Sequence, residues 1–473
     1  MSFTIIYRIF IIKIFHTTKY DKQLRINIKY YIFFFLTFYC IIKLGENMRK
    51  VIKGGIVITM DEKKLEKFEK LDIVIEDNVI KDLTVDYQGD ADVIIDASNK
   101  IVMPGLINAH THLGMSLFRA TNDELTLNDW LNKKIWPIES TMTDEDVYFA
   151  TLFSILEMLE SGTTCSNNMY FSSEAAINAI VQTKVRSIFS ECLMDNDDKG
   201  TERIETFKKL YEKYKDNDLV SFMVSPHSMY TCSKKYLKEC SELALSYNVP
   251  VHIHFCENED EVKKIKKEYH KSPVKALNKV GLLRNKLVLA HGTFISDKDL
   301  KLLNKKDISI CHNPISNLNL GCGIADIDKY NNTLNICLGT DGQGSGNNLN
   351  MFYHMSLVDL LQKGLHKNPL SMNSYDVLKM ATINGAYALG LEKEIGSIEV
   401  DKKADIIILD MNTINSYPSD DIINNIVHNT EVINIDTVMI NGETLIQNHK
   451  LLLNINKDAL KDKMNEMMMR LMK

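Results

Sequence analysis

The sequence predicts an α/β chain: a (β/α)8 barrel of the TIM type, carrying a small β-sandwich built from both ends of the chain. Two observations predict it. From about residue 104 to about 390, short apolar strand-like runs alternate with amphipathic helical stretches, the pattern expected of repeated βα units. On either side of that middle stand β-rich runs separated by turn residues. An open doubly wound sheet is the competing architecture, but no Gly-rich nucleotide loop follows the first strand to support it.

The first 47 residues stand apart. They mix apolar and basic residues without a steady helical or strand period. Tyr30 to Ile42 form one apolar run, YYIFFFLTFYCII, shorter than the ~20 residues a helical membrane span needs. No small-residue cleavage site follows it, as a secretory signal would require. Gly45-Glu46-Asn47 directly precede Met48, and Gly-Glu can be encoded by GGAGAA, a typical ribosome-binding sequence. From Met48 the chain reads at once as a strand, MRKVIKGGIVITM. Met48 is therefore expected to begin the folded protein, with 1–47 an unstructured leader; a membrane anchor is the alternative.

The β-rich runs VIKGGIVIT, LDIVIED, NVIKDL and ADVIIDASNKIVM assign 48–103 to the first part of the sandwich. ADIIILDM and INIDTVMINGETLI assign 394–450 to its second part. Between them, 104–393 is the barrel, with clear strands at FMVSPH (222–227), VPVHIHF (249–255), KLVLAH (286–291), ISICHN (308–313) and NICLGTD (335–341). SKKYLKECSELALSYN and SYDVLKMATINGAYALG read as helices, and 451–473 ends in an amphipathic helix, DALKDKMNEMMMRLMK.

Composition narrows the function. The 473 residues are 45% hydrophobic and 25% charged, ordinary for a globular protein, and are enough for one large domain and a smaller one. A net charge of −6, with basic residues spread out, gives no footprint for nucleic acid. The nine cysteines form no Cys-x-x-Cys pair and no disulfide framework, so free, mostly buried thiols in a reducing cytoplasm are expected. No membrane partner is expected, and a homo-oligomer is left open.

The chemistry sits at strand ends. PGLINAHTH closes the first barrel strand with His110 and His112, which project the same way and can converge on one ion. VHIHFCE ends with His254 and, three residues on, Glu257. His252 shares the face of His254, but His254 lies nearer the C-terminal end of its strand, the rim where barrel active sites form. LVLAHGT ends in His291 and ICLGTDG in Asp341. Each could be a satisfied core histidine or a turn aspartate, yet four separate strands ending this way point to a metal centre, and imidazole suits zinc or iron.

The motifs PGLINAHTH, HIHFCENED, LAHGT, HNPISNLNLGCG and LGTDGQGS resemble the amidohydrolase superfamily, in its chlorohydrolase/deaminase branch, and are most similar to the 5-methylthioadenosine/S-adenosylhomocysteine deaminases. The resemblance runs from about Met48 to the C-terminal strands. It implies a barrel with a flanking β-sandwich and one divalent metal per chain, zinc first and iron second. His110, His112, His254 and Asp341 are its implied ligands, with Asp341 also accepting a proton from the attacking water. Glu257 is implied as general acid/base, and His291 as the histidine that polarises the leaving side. No lysine stands where binuclear relatives carry a bridging one, so the site reads as mononuclear. For the small-molecule substrate, the resemblance places Trp130 and Glu139 (DWLNKKIWPIE) and His227 (SPHSMYTCS) around a nucleoside, with Glu139 on the ribose hydroxyls. Arg203 is where an arginine could meet a substrate carboxylate, and Asn317 and Asn319 are expected to shape their loop. A guanine or cytosine deaminase, a triazine hydrolase or a non-catalytic barrel are the other readings.

Overall fold

In the computed structural model, residues 48–472 are described apart from 65, 122, 123, 305 and 306. The expected leader, 1–47, lies outside the described residues. The described residues open with β1 (Arg49–Val57), β2 (Glu69–Glu76), β3 (Val79–Thr84), β4 (Val93–Asp96) and β5 (Ile101–Pro104). It then enters the barrel with β6 (Leu106–Thr111), β7 (Thr163–Tyr170), β8 (Arg186–Leu193), β9 (Val220–Phe222) and β10 (Ser225–Pro226). The barrel continues with β11 (Val251–Phe255), β12 (Leu287–His291), β13 (Ile308–His312) and β14 (Asn335–Leu338). Last come β15 (Ile406–Leu409), β16 (Ile435–Ile440), β17 (Glu443–Gln447) and β18 (Lys450–Leu451).

The strands from the two chain ends join in one nine-stranded sheet, where β15 pairs antiparallel with β5 from Ile406–Pro104 to Leu409–Ile101. β1 runs parallel to β4 through Lys50–Lys53 and then parallel to β5 through Ile56 and Val57. An irregularity between Ile52 and Gly55 in its pairing with β2 bends the sheet there. Ile52, Val57, Ile73, Ile75, Ile406 and Ile408 close around a core separate from that of the barrel. β-branched residues dominate it, as a pleated surface buried on one face favours.

Counting β9 and β10 as one interrupted strand, the middle has eight parallel barrel strands. Two arcs, β6 through β10 and β11 through β14, are each continuous. Bridges from Val224 to Val251 and from Ser228 to His254 join them on one side. On the other, the amides of Thr340 and Asp341 donate to the His110 carbonyl at 3.2 and 3.1 Å. The Asn108 side chain strengthens that seam, accepting from Thr340 N (3.0 Å) and donating to Thr340 Oγ1 (2.8 Å).

Helices start where the sequence supplies a cap. Thr143 and Asp146 form a capping box for Asp144–Glu160, Ser233 caps Lys234–Tyr247 and Asn258 caps Glu259–Tyr269. The expected helix over 374–390 is two, Ser374–Met380 and Ile383–Leu389, broken at Thr382. The last helix, Lys457–Leu471, buries Leu460, Met464 and Met467, one stripe at helical spacing. A buried bidentate pair, Arg186 with Asp405 at 2.7 and 3.1 Å, ties β8 to the end sheet. The eight described cysteines are free and buried. Among the described residues no helix is long and apolar enough to cross a membrane.

Candidate active site

β6 with the residue that follows it, and β11, each present two histidines to the barrel interior, and they meet in two layers. In the lower layer His110 Nδ1 lies 3.0 Å from His252 Nε2. In the upper layer His112 Nε2 lies 3.3 Å from His254 Nε2. Period-two projection along each strand produces both contacts. Asp341, just beyond β14, brings Oδ1 to 3.1 Å from His112 Nε2 and 3.5 Å from His110 Nε2.

Proton accounting tests whether this cluster suits a cation. His112 Nδ1–H donates to the Met169 carbonyl at 2.6 Å, and His254 Nδ1–H to the His227 carbonyl at 2.7 Å. In its neutral form each ring therefore turns a lone pair, not an N–H, toward the other. Two imidazole lone pairs 3.3 Å apart beside a carboxylate repel one another unless a positive charge sits among them. His110 Nε2 is fully buried without a hydrogen-bond partner. The groups His110, His112, His254 and His110, His291, Asp341 each bring their donor atoms within 4.8 Å of one another, so the site can hold a metal ion. Pinning of Nδ1–H on a carbonyl is the outer support typical of metal-bound histidines.

Burial brings His110 down to about 4 and His254 well below its ordinary value, so both stay neutral as ligands must, whereas His112, against burial, is raised by its contact with Asp341. Against the cost of burial, a positive charge on the side of His110 and His112 holds Asp341 ionised, well below the usual carboxylate range. Ser316 Oγ–H and the Gly342 amide donate to its two oxygens at 2.6 and 2.8 Å.

Glu257 follows Cys256, whose φ of 51° is left-handed and turns the chain sharply after β11. Its amide donates to the buried Glu261 carboxylate at 2.8 Å, which fixes that turn. Its own carboxyl lies 3.9 Å from His291 Nε2 and is pushed up to about 8, by burial and then by Asp341. His291 donates Nδ1–H to Asn317 Oδ1 at 2.8 Å, leaving an unpartnered Nε2 lone pair toward the site. Asn317 thus sets the His291 tautomer, while Asn319 Nδ2 donates to the Ser345 carbonyl at 2.6 Å.

The cluster opens into a cavity whose wall includes Trp130, Trp136, Glu139, Tyr170 and His227. Trp130 is 3% exposed. Glu139 Oε1 accepts from Tyr170 Oη–H at 2.8 Å, and desolvation pushes its carboxyl up to about 7. His227 Nδ1 lies 3.0 Å from Thr231 Oγ1, and its ring centre is 4.7 Å from that of His254. Arg203 is not among the residues lining this cavity; its guanidinium pairs with Asp197 (2.6 and 2.5 Å) and donates to the Met194 carbonyl (2.7 Å). Sequence reasoning passed over Trp136, Tyr170 and the Met169 carbonyl. Trp136 stood in a quoted segment as one of only two tryptophans, whereas a backbone carbonyl leaves no trace in a sequence.

Comparison with known proteins follows the same lines. A 5-methylthioadenosine/S-adenosylhomocysteine deaminase of Caldanaerobacter subterraneus subsp. tengcongensis is 38% identical over 412 residues, covering 85% of this chain and 94% of that protein. A 5'-deoxyadenosine deaminase of Methanosphaera stadtmanae is 38% identical over 403 residues, covering 84% and 94%. Among solved structures, a zinc-bound adenosine deaminase from Xanthomonas campestris superposes with a TM-score of 0.86 at 27% identity, covering 90% of this chain and 99% of that one. Residues 101–445 match the family model for the amidohydrolase family, and the chain is a hydrolytic enzyme belonging to that family.

Proposed function

We propose that this enzyme is a metal-dependent deaminase of adenosine-type nucleosides. It converts 5′-substituted adenosines, such as 5-methylthioadenosine and S-adenosylhomocysteine, with water to the inosine analogues and ammonia. The observation that carries the reading is one cavity whose lining includes His112, His254 and Asp341 of the histidine–aspartate cluster together with Glu257 and Glu139. The deaminases to which the chain is similar support the substrate class.

In this reading His110, His112, His254 and Asp341 hold one divalent ion, zinc by preference. Such an ion supplies a water acidic enough to react near neutral pH. Asp341, ionised in its own setting, accepts a proton from the attacking water. Glu257, protonated at neutral pH, gives its proton to the ring nitrogen beside the reacting carbon and recovers one from the added hydroxyl, while the departing amine takes the proton held by Asp341. A carboxyl must give and retake a proton in that sequence, so a pKa near the working pH suits it. His291 presents a lone pair, so it first accepts a hydrogen bond; it can donate to developing charge only after taking up a proton. Glu139, His227 and Trp130 hold the nucleoside. Arg203, paired with Asp197 and not among the cavity-lining residues, is kept for a substrate that carries a carboxylate.

A spectrophotometric screen of adenosine, guanine and cytosine derivatives, with metal content measured on the same protein, tests this. Adenosines should be turned over fastest. A preference for guanine or cytosine over every adenosine sinks the substrate assignment and spares the hydrolase. Replacing His110, His112, His254 or Asp341 by Ala should cut turnover by at least about 10²-fold, since disturbing even a ligand's outer partner costs 10–100-fold. The histidine variants should also lose metal on dialysis. Full metal retention with full activity in any one of them removes that residue from the ligand set.

A further inference from the structure

Glu139 is expected to bind the sugar. It ends a continuous helical stretch over 127–139 that widens at Leu131–Ile135, and its carboxylate takes an anchor from a neighbouring strand. Tyr170 closes β7, is 2% exposed, and donates its phenol O–H to Glu139 Oε1 at 2.8 Å. Its ring cannot swing away easily. A Cβ on Gly114, two residues beyond His112, would lie 2.0 Å from Tyr170 Cε1, so the ring rests directly on the bare glycine backbone. The preceding residue on β7, Met169, takes the Nδ1–H of His112 on its carbonyl at 2.6 Å. One strand end therefore ties the histidine cluster and the Glu139 carboxylate to adjacent residues.

We infer that Tyr170 is the positioning residue for nucleoside recognition: its phenol, backed by Gly114, holds one oxygen of Glu139 so that the carboxylate faces the ribose hydroxyls at a set distance from the reacting centre. The inference rests on the reading of Glu139 as the sugar carboxylate. With Oε1 occupied by the phenol, Oε2 and the remaining lone pair of Oε1 are left for a vicinal diol. The phenol also favours the ionised carboxylate, because a hydrogen bond to the charged form stabilises it. Glu139 stands at about 7 with that help, so its loss moves the half-ionised point upward.

The test is Tyr170→Phe in the metal-loaded full chain; the change keeps the ring and removes one oxygen. KM for adenosine and 5-methylthioadenosine should rise about tenfold, the scale of one hydrogen bond to a charged group. The kcat for both should stay within about twofold, and slow turnover of adenine should not change. The pH below which nucleoside KM climbs should move up, a shift that mere loosening of the fold does not produce. An unchanged nucleoside KM across the neutral range overturns the inference. So does a kcat that falls equally for adenine and the nucleosides, which would put Tyr170 at the reacting centre. A wild type that deaminates no nucleoside sinks the proposed function instead, whereas an active wild type matched by the variant sinks Tyr170 alone.

Discussion

Glu257→Gln should keep its metal and lose at least about 10³-fold in turnover, within the range of 10²–10⁴ that a positioned general acid/base contributes. The two side chains are nearly isosteric, and an amide can hydrogen-bond but cannot pass a proton. The surroundings of Glu257 argue for proton transfer over coordination. It is 4% exposed, and burial with the nearby Asp341 charge pushes it up to about 8, so it is mostly protonated at neutral pH. A metal ligand would have to be ionised. Its Oε1 lies 4.0 Å from Cys322 Sγ and 3.9 Å from His291 Nε2, and Glu257 belongs to neither group of converging donor atoms, His110–His112–His254 or His110–His291–Asp341. Metal analysis with steady-state kinetics separates the outcomes. Loss of the ion from the variant reassigns Glu257 to the ligands, and undiminished turnover removes it from the reaction.

The rim histidines and Asp341 were legible because barrel geometry converts a local pattern into a spatial one. A strand read to its last residue names what stands on the rim, and His110, His112, His254, His291 and Asp341 do come together. Strands whose barrel-facing residues are polar were not legible. β7 reads TTCSNNMY and β8 RSIFSECL, neither with the apolar run or clean alternation that marks a strand, because their serines and asparagines bond within the barrel. Ser166 meets Ser187 at 3.0 Å, and Asn167 donates to the Ala109 carbonyl at 3.0 Å. Tyr170 was missed with the strand that carries it. Arg203 shows the opposite limit of a sequence: a charge on an amphipathic helix carries no sign of its partner, and only the fold pairs it with Asp197, six residues earlier.

Glu139→Ala should lower kcat/KM for adenosines by at least about 10²-fold while moving adenine by less than about threefold. Two hydrogen bonds from ribose hydroxyls to a carboxylate are worth about 1.5–3 kcal/mol each, so losing both costs on the order of 10²–10⁴ in the nucleoside's transition state. Adenine makes neither bond and has nothing to lose. In the wild type the same logic runs in reverse. The carboxylate is left without its partners when the ribose is missing, and sites built to pair a substrate hydroxyl reject an analogue lacking it by about 10⁴ or more. The ionised form does this work. With the carboxyl at about 7, acidification through neutrality should raise the wild-type KM for nucleosides, and the Ala variant should lose that acid limb because the titrating group is gone. Adenine kinetics should show no such limb in either protein. Equal losses on adenosine and adenine in Glu139→Ala would mean that the carboxylate serves the reacting ring and not the sugar, and nucleoside recognition would then have to rest on His227 and the tryptophan wall.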